Sequence, residues 1–268
     1  MTVAAPARVT VPVAASAALG PILLARPVDG VLLGAGESGA WGRLGDSVVT
    51  LLPAGATRAP NGIEVSRALL GHLEPGASCC ADGGGFEVAG WHLEVRATWD
   101  PRPQLPRVDP GTLRERAAPL PAPSVADEGL GAALAAGDPD TVLAAARRLL
   151  GRGPGLTPLG DDVLIGAVAA SLLLGEAAGN RRLVSLVIAL AEPLDALARE
   201  RTTALSATLL RHACRGEVDD ASAVLLLALC GRGDPGPALA GLLAVGHTSG
   251  RGLAAGLLAA AGAAGGVS

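Results

Sequence analysis

Gly151-Arg152-Gly153-Pro154-Gly155-Leu156-Thr157-Pro158-Leu159-Gly160-Asp161-Asp162, running into Val163–Leu174, is the stretch whose reading decides the fold. From Val163 to Leu174 the residues are Val, Leu, Ile, Ala and Gly with a single Ser. Such a segment predicts a helix that is apolar on every side, and its place is the centre of a helical bundle. The glycines and prolines before it interrupt helix, so the helix is expected over Asp161–Gly175, with the two acids at its start.

The same texture continues toward the C-terminus. Helices are expected over Arg181–Leu197, Thr203–Arg215, Asp220–Leu229, Pro237–Val245 and Gly250–Ala261. Gly216, Gly231 and Gly246 each follow a helical run, where a left-handed residue closes the last turn. Upstream, Asp138-Pro139 is a cap followed by a first-turn proline for a helix over Asp140–Leu150. Residues 124–268 are therefore read as an all-helical domain. The Pro-rich stretch 101–123 is read as a semi-rigid linker with one helical turn at Thr112–Arg116. Before it, Val28–Leu33, Ser47–Leu52 and Trp91–Trp99 have the length and branched content of strands, separated by turn clusters at Gly34–Gly39, Pro53–Gly62 and Asp82–Gly85. The expected class is α+β, with a small, mostly antiparallel β domain over residues 1–100 followed by the all-helical domain. No repeat of fixed period stands out.

Composition excludes several chemistries. The 268 residues carry 21 basic and 25 acidic side chains, a formal net charge of −4, and every basic residue is Arg. With no Lys there is no Schiff-base amine and no phosphate-loop lysine; with no Tyr there is no phenolic acid. An acidic balance with three Trp and one Phe argues against nucleic acid. Cys79, Cys80, Cys214 and Cys230 show no metal-ligand spacing and read as reduced small hydrophobes of a cytoplasmic protein. Arg8 with Val9–Ala25 has a faint look of a secretory leader, but Pro12 interrupts it, and the expectation is no leader. Val163–Gly175 is shorter than a membrane span needs, so no membrane partner is expected either.

Against this apolar background three polar islands stand out. In the first, Gly153 and Gly155 expose backbone N–H groups ahead of a helix start, which suits an anion. Asp161 and Asp162 there fit two roles: a helix cap with a first-turn acid, or a pair that holds a divalent cation such as Mg²⁺ or a ligand amine. The second is Arg199-Glu200-Arg201-Thr202-Thr203 with Ser206, where a guanidinium precedes hydroxyls at a helix start. Its plain reading is a cap beside a solvated Arg. The third, Gly246-His247-Thr248-Ser249-Gly250-Arg251, packs an imidazole, two hydroxyls and a guanidinium into one turn, a candidate for acid–base work or anion binding. His72, His92 and His212 lack such company, and no nucleophile elbow, zinc pattern or dinucleotide fingerprint is present.

The order and spacing of Gly153–Pro158 with Gly160-Asp161-Asp162, then Thr202-Thr203…Ser206 to Arg215-Gly216, then Gly246–Gly250, resemble the AllH family from Leu150 to about Leu258. The first half is similar only in style. At Leu159 the chain departs from the family's loop, which commonly has Ser there. The resemblance implies a subunit of an oxamate carbamoyltransferase of allantoin breakdown, with an FdrA-like subunit and a second companion as partners. The implied substrates are small anions, carbamoyl phosphate and an oxamate-like acid amide, and the implied degradative reaction is phosphorolysis of oxalurate. The resemblance supplies no residue-level roles; from the residue types, Gly153, Gly155, Thr157, Arg201, Thr202 and Thr203 are expected to hold anionic groups. Thr248 and Ser249 are expected to contact substrate, and His247, Asp161 and Asp162 to act in catalysis. Two other readings stand beside it: a non-catalytic scaffold subunit, and a stand-alone metal-assisted hydrolase using Asp161, Asp162 and His247. The two catalytic readings require the islands to fold together, whereas the scaffold reading takes them as helix caps.

Overall fold

The computed structural model describes residues 9–266, so Arg8, with its part in the leader-like pattern, lies outside the described residues. Two compact units divide the chain, residues 1–101 and 102–268.

In the first unit the strands follow as β1 (Val9–Ser16), β2 (Val28–Gly36), β3 (Gly39–Leu44), β4 (Ser47–Pro53), β5 (Gly62–Val65), β6 (Ser78–Asp82), β7 (Gly85–Val88) and β8 (Trp91–Trp99). Short helices α1 (Gly20–Leu23) and α2 (Arg67–Leu70) lie between β1 and β2 and between β5 and β6. The strands close into a barrel in the order β1-β5-β4-β3-β2-β6-β7-β8. This corrects the expected small, mostly antiparallel β domain: the sheet is a closed, mixed barrel, with β1 parallel to β8 and β4 parallel to β5. Alternation marks a strand but says nothing of its partner's direction. The closing pair joins segments at opposite ends of the unit.

Pro12 disguised β1. It sits opposite Glu94 of β8, whereas the pairing of β1 with β5 begins at Ala14, so the missing N–H falls where the strand has one neighbour only. The single Phe of the chain, Phe86, is fully buried in the barrel core with Leu32, Leu51, Ile63 and Leu93. Gly42 makes room for it, since a Cβ there would stand 2.9 Å from the Phe86 ring. Cys79 points into the same core and Cys80, its neighbour, is half-buried; among the described residues no disulfide joins Cys79, Cys80, Cys214 or Cys230.

The second unit holds α3 (Pro110–Ala117), α4 (Leu130–Ala136), α5 (Pro139–Leu149), α6 (Leu159–Ala178), α7 (Arg181–Arg201), α8 (Ala204–Ala213), α9 (Asp220–Leu229), α10 (Pro235–Leu243) and α11 (Ser249–Gly265). The all-round apolar helix α6 is buried along nearly its whole length, with α7, α8 and α11 packed on it. Its closest neighbour is α11, because both helices use glycine at the crossing. A Cβ on Gly256 would overlap the Val163 carbonyl, and one on Gly166 the Leu253 carbonyl. Of the expected linker 101–123, residues 102–123 belong to this unit. Arg102 pairs with Glu176 at 2.8 Å, the Val108 N–H donates to the Ala177 carbonyl at 3.1 Å, and Arg116 Nε donates to the Ala228 carbonyl at 2.9 Å. Among the described residues no helix is long and apolar enough to cross a membrane.

Candidate functional site

The three polar islands come together in the second unit, because each lies at the N-terminus of a helix that packs on α6 or is α6 itself. Helix α6 starts at Leu159, two residues before the expected Asp161, and its cap position is Pro158, which has no side-chain acceptor. The acids therefore occupy the first turn and the cap position is left to proline. Helix α11 starts at Ser249 after Thr248, which makes no capping hydrogen bond. Two helix N-termini are thus uncapped by side chains, and a hydrogen bond of 3.0 Å between the Thr157 and Ser249 hydroxyls joins them. At both starts backbone carbonyls take first-turn N–H groups in place of side chains: Gly160 donates to Arg152 and Gly250 to Val245, each at 3.0 Å; the partial positive charge of the helix ends remains.

Asp161 is buried and holds the first island to the second. Its Oδ1 accepts from the Gly151 N–H at 2.7 Å, and its Oδ2 accepts from the Thr202 hydroxyl. Thr203 caps α8, accepting from the Ser206 N–H at 3.1 Å, while its own hydroxyl donates to the Leu156 carbonyl at 2.6 Å. These contacts fix the loop 151–158 against the start of α8. Glycine is required there: Gly151, Gly153 and Gly155 have φ of 75°, 123° and 99°, values that side chains with a Cβ rarely adopt. Gly153 and Gly155 are exposed.

Asp162, 2% exposed, is the chemically unusual member. Burial pushes its carboxyl up to about 7, against a hydrogen bond from Ser249 that lowers it, and the charges of Asp161 and Asp219 add to the rise. Among the described residues its Oδ2 has no hydrogen-bond partner, and neither has the buried hydroxyl of Ser206, four residues on from Thr202 and in α8. Gly252 lets α11 close over it, since a Cβ there would lie 2.6 Å from the Asp162 Cβ, 2.9 Å from the Leu159 carbonyl oxygen and 3.2 Å from the Leu159 Cδ1. That packing gives Leu159, the departure from the family's loop, a structural use.

His247 and Thr248 are exposed, and His247 makes no hydrogen bond or ion pair among the described residues. Ser249, bonded to Asp162, is two residues on, at most about 7 Å of chain away. The imidazole and the twin acids therefore share one end of the unit. Arg201 ends α7 exposed, as does Arg251 in the first turn of α11. Arg152 pairs with Glu128 instead. Among the described residues no group of three or more His, Cys, Asp or Glu side chains is placed to hold a metal ion. With both oxygens of Asp161 engaged, only Asp162 of the pair keeps an open carboxylate oxygen.

Sequence reasoning placed Ser206 in the second island but missed Asp219 and Gly252 as parts of this site. Asp219-x-x-Ser222 is a readable cap, with Asp219 accepting from the Ser222 N–H at 3.0 Å. Gly252 and Gly256, four apart, are a readable close-packing pair. Nothing in the sequence marks Ser206 as unpartnered. A cavity of about 380 Å³ elsewhere in the unit, lined by Arg114, Leu120, Val125 and Leu258 among others, involves none of the islands.

The model of the AllH family, described as oxamate carbamoyltransferase subunit AllH, matches residues 149–261. The helical unit carries an AllH segment. The match begins at the last residue of α5 and ends within α11, so all three islands fall inside the AllH segment, whereas the barrel lies outside it. No curated protein and no solved structure matches the chain.

Proposed function

We propose that this chain serves as a subunit of a carbamoyl-transferring enzyme acting on small anionic acid amides, oxalurate and oxamate among them, with an FdrA-like subunit and a companion as partners. The observation that carries the reading is the meeting of the uncapped N-termini of α6 and α11 beside a loop of exposed glycines. The exposed guanidiniums of Arg201 and Arg251 belong to the same island segments. Backbone N–H groups of a glycine-rich loop leading into a helix start bind phosphate or carboxylate without a dedicated cation.

In the degradative direction a phosphate oxygen attacks the carbamoyl carbon, the bond from that carbon to the amide nitrogen breaks, and the nitrogen takes a proton. The amides of Gly153 and Gly155, with Arg201, hold the anionic ends and offset charge on the developing oxyanion. Thr157 and Ser249 face the ligand from the joined N-termini. His247, exposed and unpartnered, supplies or accepts the proton at nitrogen. Asp161, Thr202 and Thr203 act at one remove: their polar atoms are engaged inside the fold, so they hold the loop in place.

That same engagement favours a second reading, in which the islands are braces of a non-catalytic scaffold subunit. Reconstitution with the two partners separates them. Under the catalytic reading, His247→Ala and Asp162→Ala assemble normally and lose turnover. Assembly with turnover unchanged in both variants would leave the scaffold.

A further inference from the structure

Away from the islands, α11 and the segment ahead of α4 enclose the cavity of about 380 Å³. Leu258, Ala259 and Gly262 line it from α11, and Leu120 and Val125 from the segment. Small-molecule pockets have this character: mostly apolar walls with a few polar groups held in fixed positions.

Two opposite charges line the cavity, and backbone holds each of them. Arg114 Nε and Nη2 donate to the Gly265 carbonyl at 3.1 and 2.5 Å, where α11 ends. The Asp127 carboxylate accepts from the Gly129 and Gly131 N–H groups, each at 3.1 Å, where α4 begins. Both contacts close helix ends, yet neither side chain is exhausted by them. Nη1 of Arg114 has no partner among the described residues, and each carboxylate oxygen keeps a lone pair. The two charges are also kept apart. A Cβ on Gly131 would lie 3.2 Å from Asp127 Oδ2 and 3.6 Å from the Ala259 Cβ, so the carboxylate stands beside Ala259. The guanidinium is held at Gly265, six residues further along α11, a rise of about 9 Å.

We propose that this cavity binds a linear aliphatic ω-amino acid, its carboxylate on Arg114, its ammonium on Asp127 and its methylenes along Leu120, Val125 and Leu258. A plain aliphatic acid would leave Asp127 facing methylenes, and an α-amino acid carries its two charges too close together to reach both groups.

Calorimetric titration of the full chain with 5-aminopentanoate, pentanoate and pentylamine tests it, at neutral pH where amine and carboxyl are both charged. The two compounds with one charge are expected to bind about tenfold or more weaker than 5-aminopentanoate. Nothing lies within 4 Å of a Cβ on Gly262, so Gly262→Leu fills the cavity without disturbing its walls. That variant is expected to lose binding while thermal unfolding shows the fold intact. Arg114→Gln is expected to bind 5-aminopentanoate no better than pentylamine and to bind pentylamine as the unaltered chain does, which separates a lost charge from a damaged helix end. Equal affinity for the three compounds overturns the ligand class. Undiminished binding in Gly262→Leu overturns the cavity as its place, and no binding of 5-aminopentanoate by the unaltered chain overturns both.

Discussion

Asp161 accepts from Thr202 across two helices, and the same carboxylate accepts from the Gly151 N–H at 2.7 Å. One buried side chain thereby ties the glycine loop, the start of α6 and the end of α7. Asp161→Ala would leave a backbone donor and a hydroxyl without an acceptor, at a cost of roughly 2–4 kcal/mol. Urea unfolding measures the loss, and amide exchange should show residues 151–158 opening first. A variant as stable as the unaltered chain would show that the tie contributes nothing.

Asp162 makes stability depend on pH. Its pKa in the fold, about 7, lies above the ordinary 3.8. Between those values the native state holds more protons than the unfolded chain, so the slope of stability with pH is negative. The contribution is most favourable below about pH 4, declines as pH rises to about 7, and is constant above that. The stability difference between the unaltered chain and Asp162→Asn should therefore shift by roughly 2–4 kcal/mol in favour of the variant between pH 4 and pH 8. Denaturant titrations at the two pH values check it; a constant difference would contradict it.

Helices α6 and α11 touch through backbone. Gly256→Ala forces a Cβ into the Val163 carbonyl, which cannot rotate aside, and should cost roughly 2–4 kcal/mol. Gly262, on the same helix, has nothing within 4 Å of an added Cβ. Gly262→Ala should therefore stabilise by about 0.5–1 kcal/mol through helix propensity alone. Opposite signs in thermal unfolding are the expected result.

In the barrel, Asn61 is fully buried, and its Nδ2 donates to the Val48 carbonyl at 2.8 Å and to the Thr50 hydroxyl at 2.9 Å. Asn61→Ala should cost about 1–3 kcal/mol and loosen the turn before β5. Faster exchange of the Gly62 and Ile63 amides is the local readout.

His247→Ala should change stability by less than about 0.5 kcal/mol, since an exposed, unpartnered side chain contributes little to the fold. Its effect belongs in turnover of the assembled enzyme. A large loss of stability would mean that the imidazole has a structural contact.

The helical half was largely legible because its elements answer to local rules. Apolar content placed α6 at the centre, and Asp219 with Asp220 started α9 at the expected residue. Asp138-Pro139 likewise set the start of α5. The β half was half-legible. Trp91–Trp99 alternates and forms β8 as read, but Gly39–Leu44 and Gly85–Val88 were not read as strands, because each begins at the end of a turn cluster and Gly42 and Gly85 are there to admit Phe86 and His92. Small residues that serve a distant neighbour resemble breakers when read alone.

By itself, the sequence determined the helical texture, the three polar islands and their likeness to one family, since caps, periodicity and residue type act over a few positions. Only the tertiary structure decided that the barrel closes through a parallel pair, that Asp161 braces the loop, and that Asp162 lies buried beneath Ser249 and Gly252. These depend on contacts between segments far apart in the chain. Burial and the direction of a hydrogen bond are properties of neighbours in space, which residue order alone does not supply.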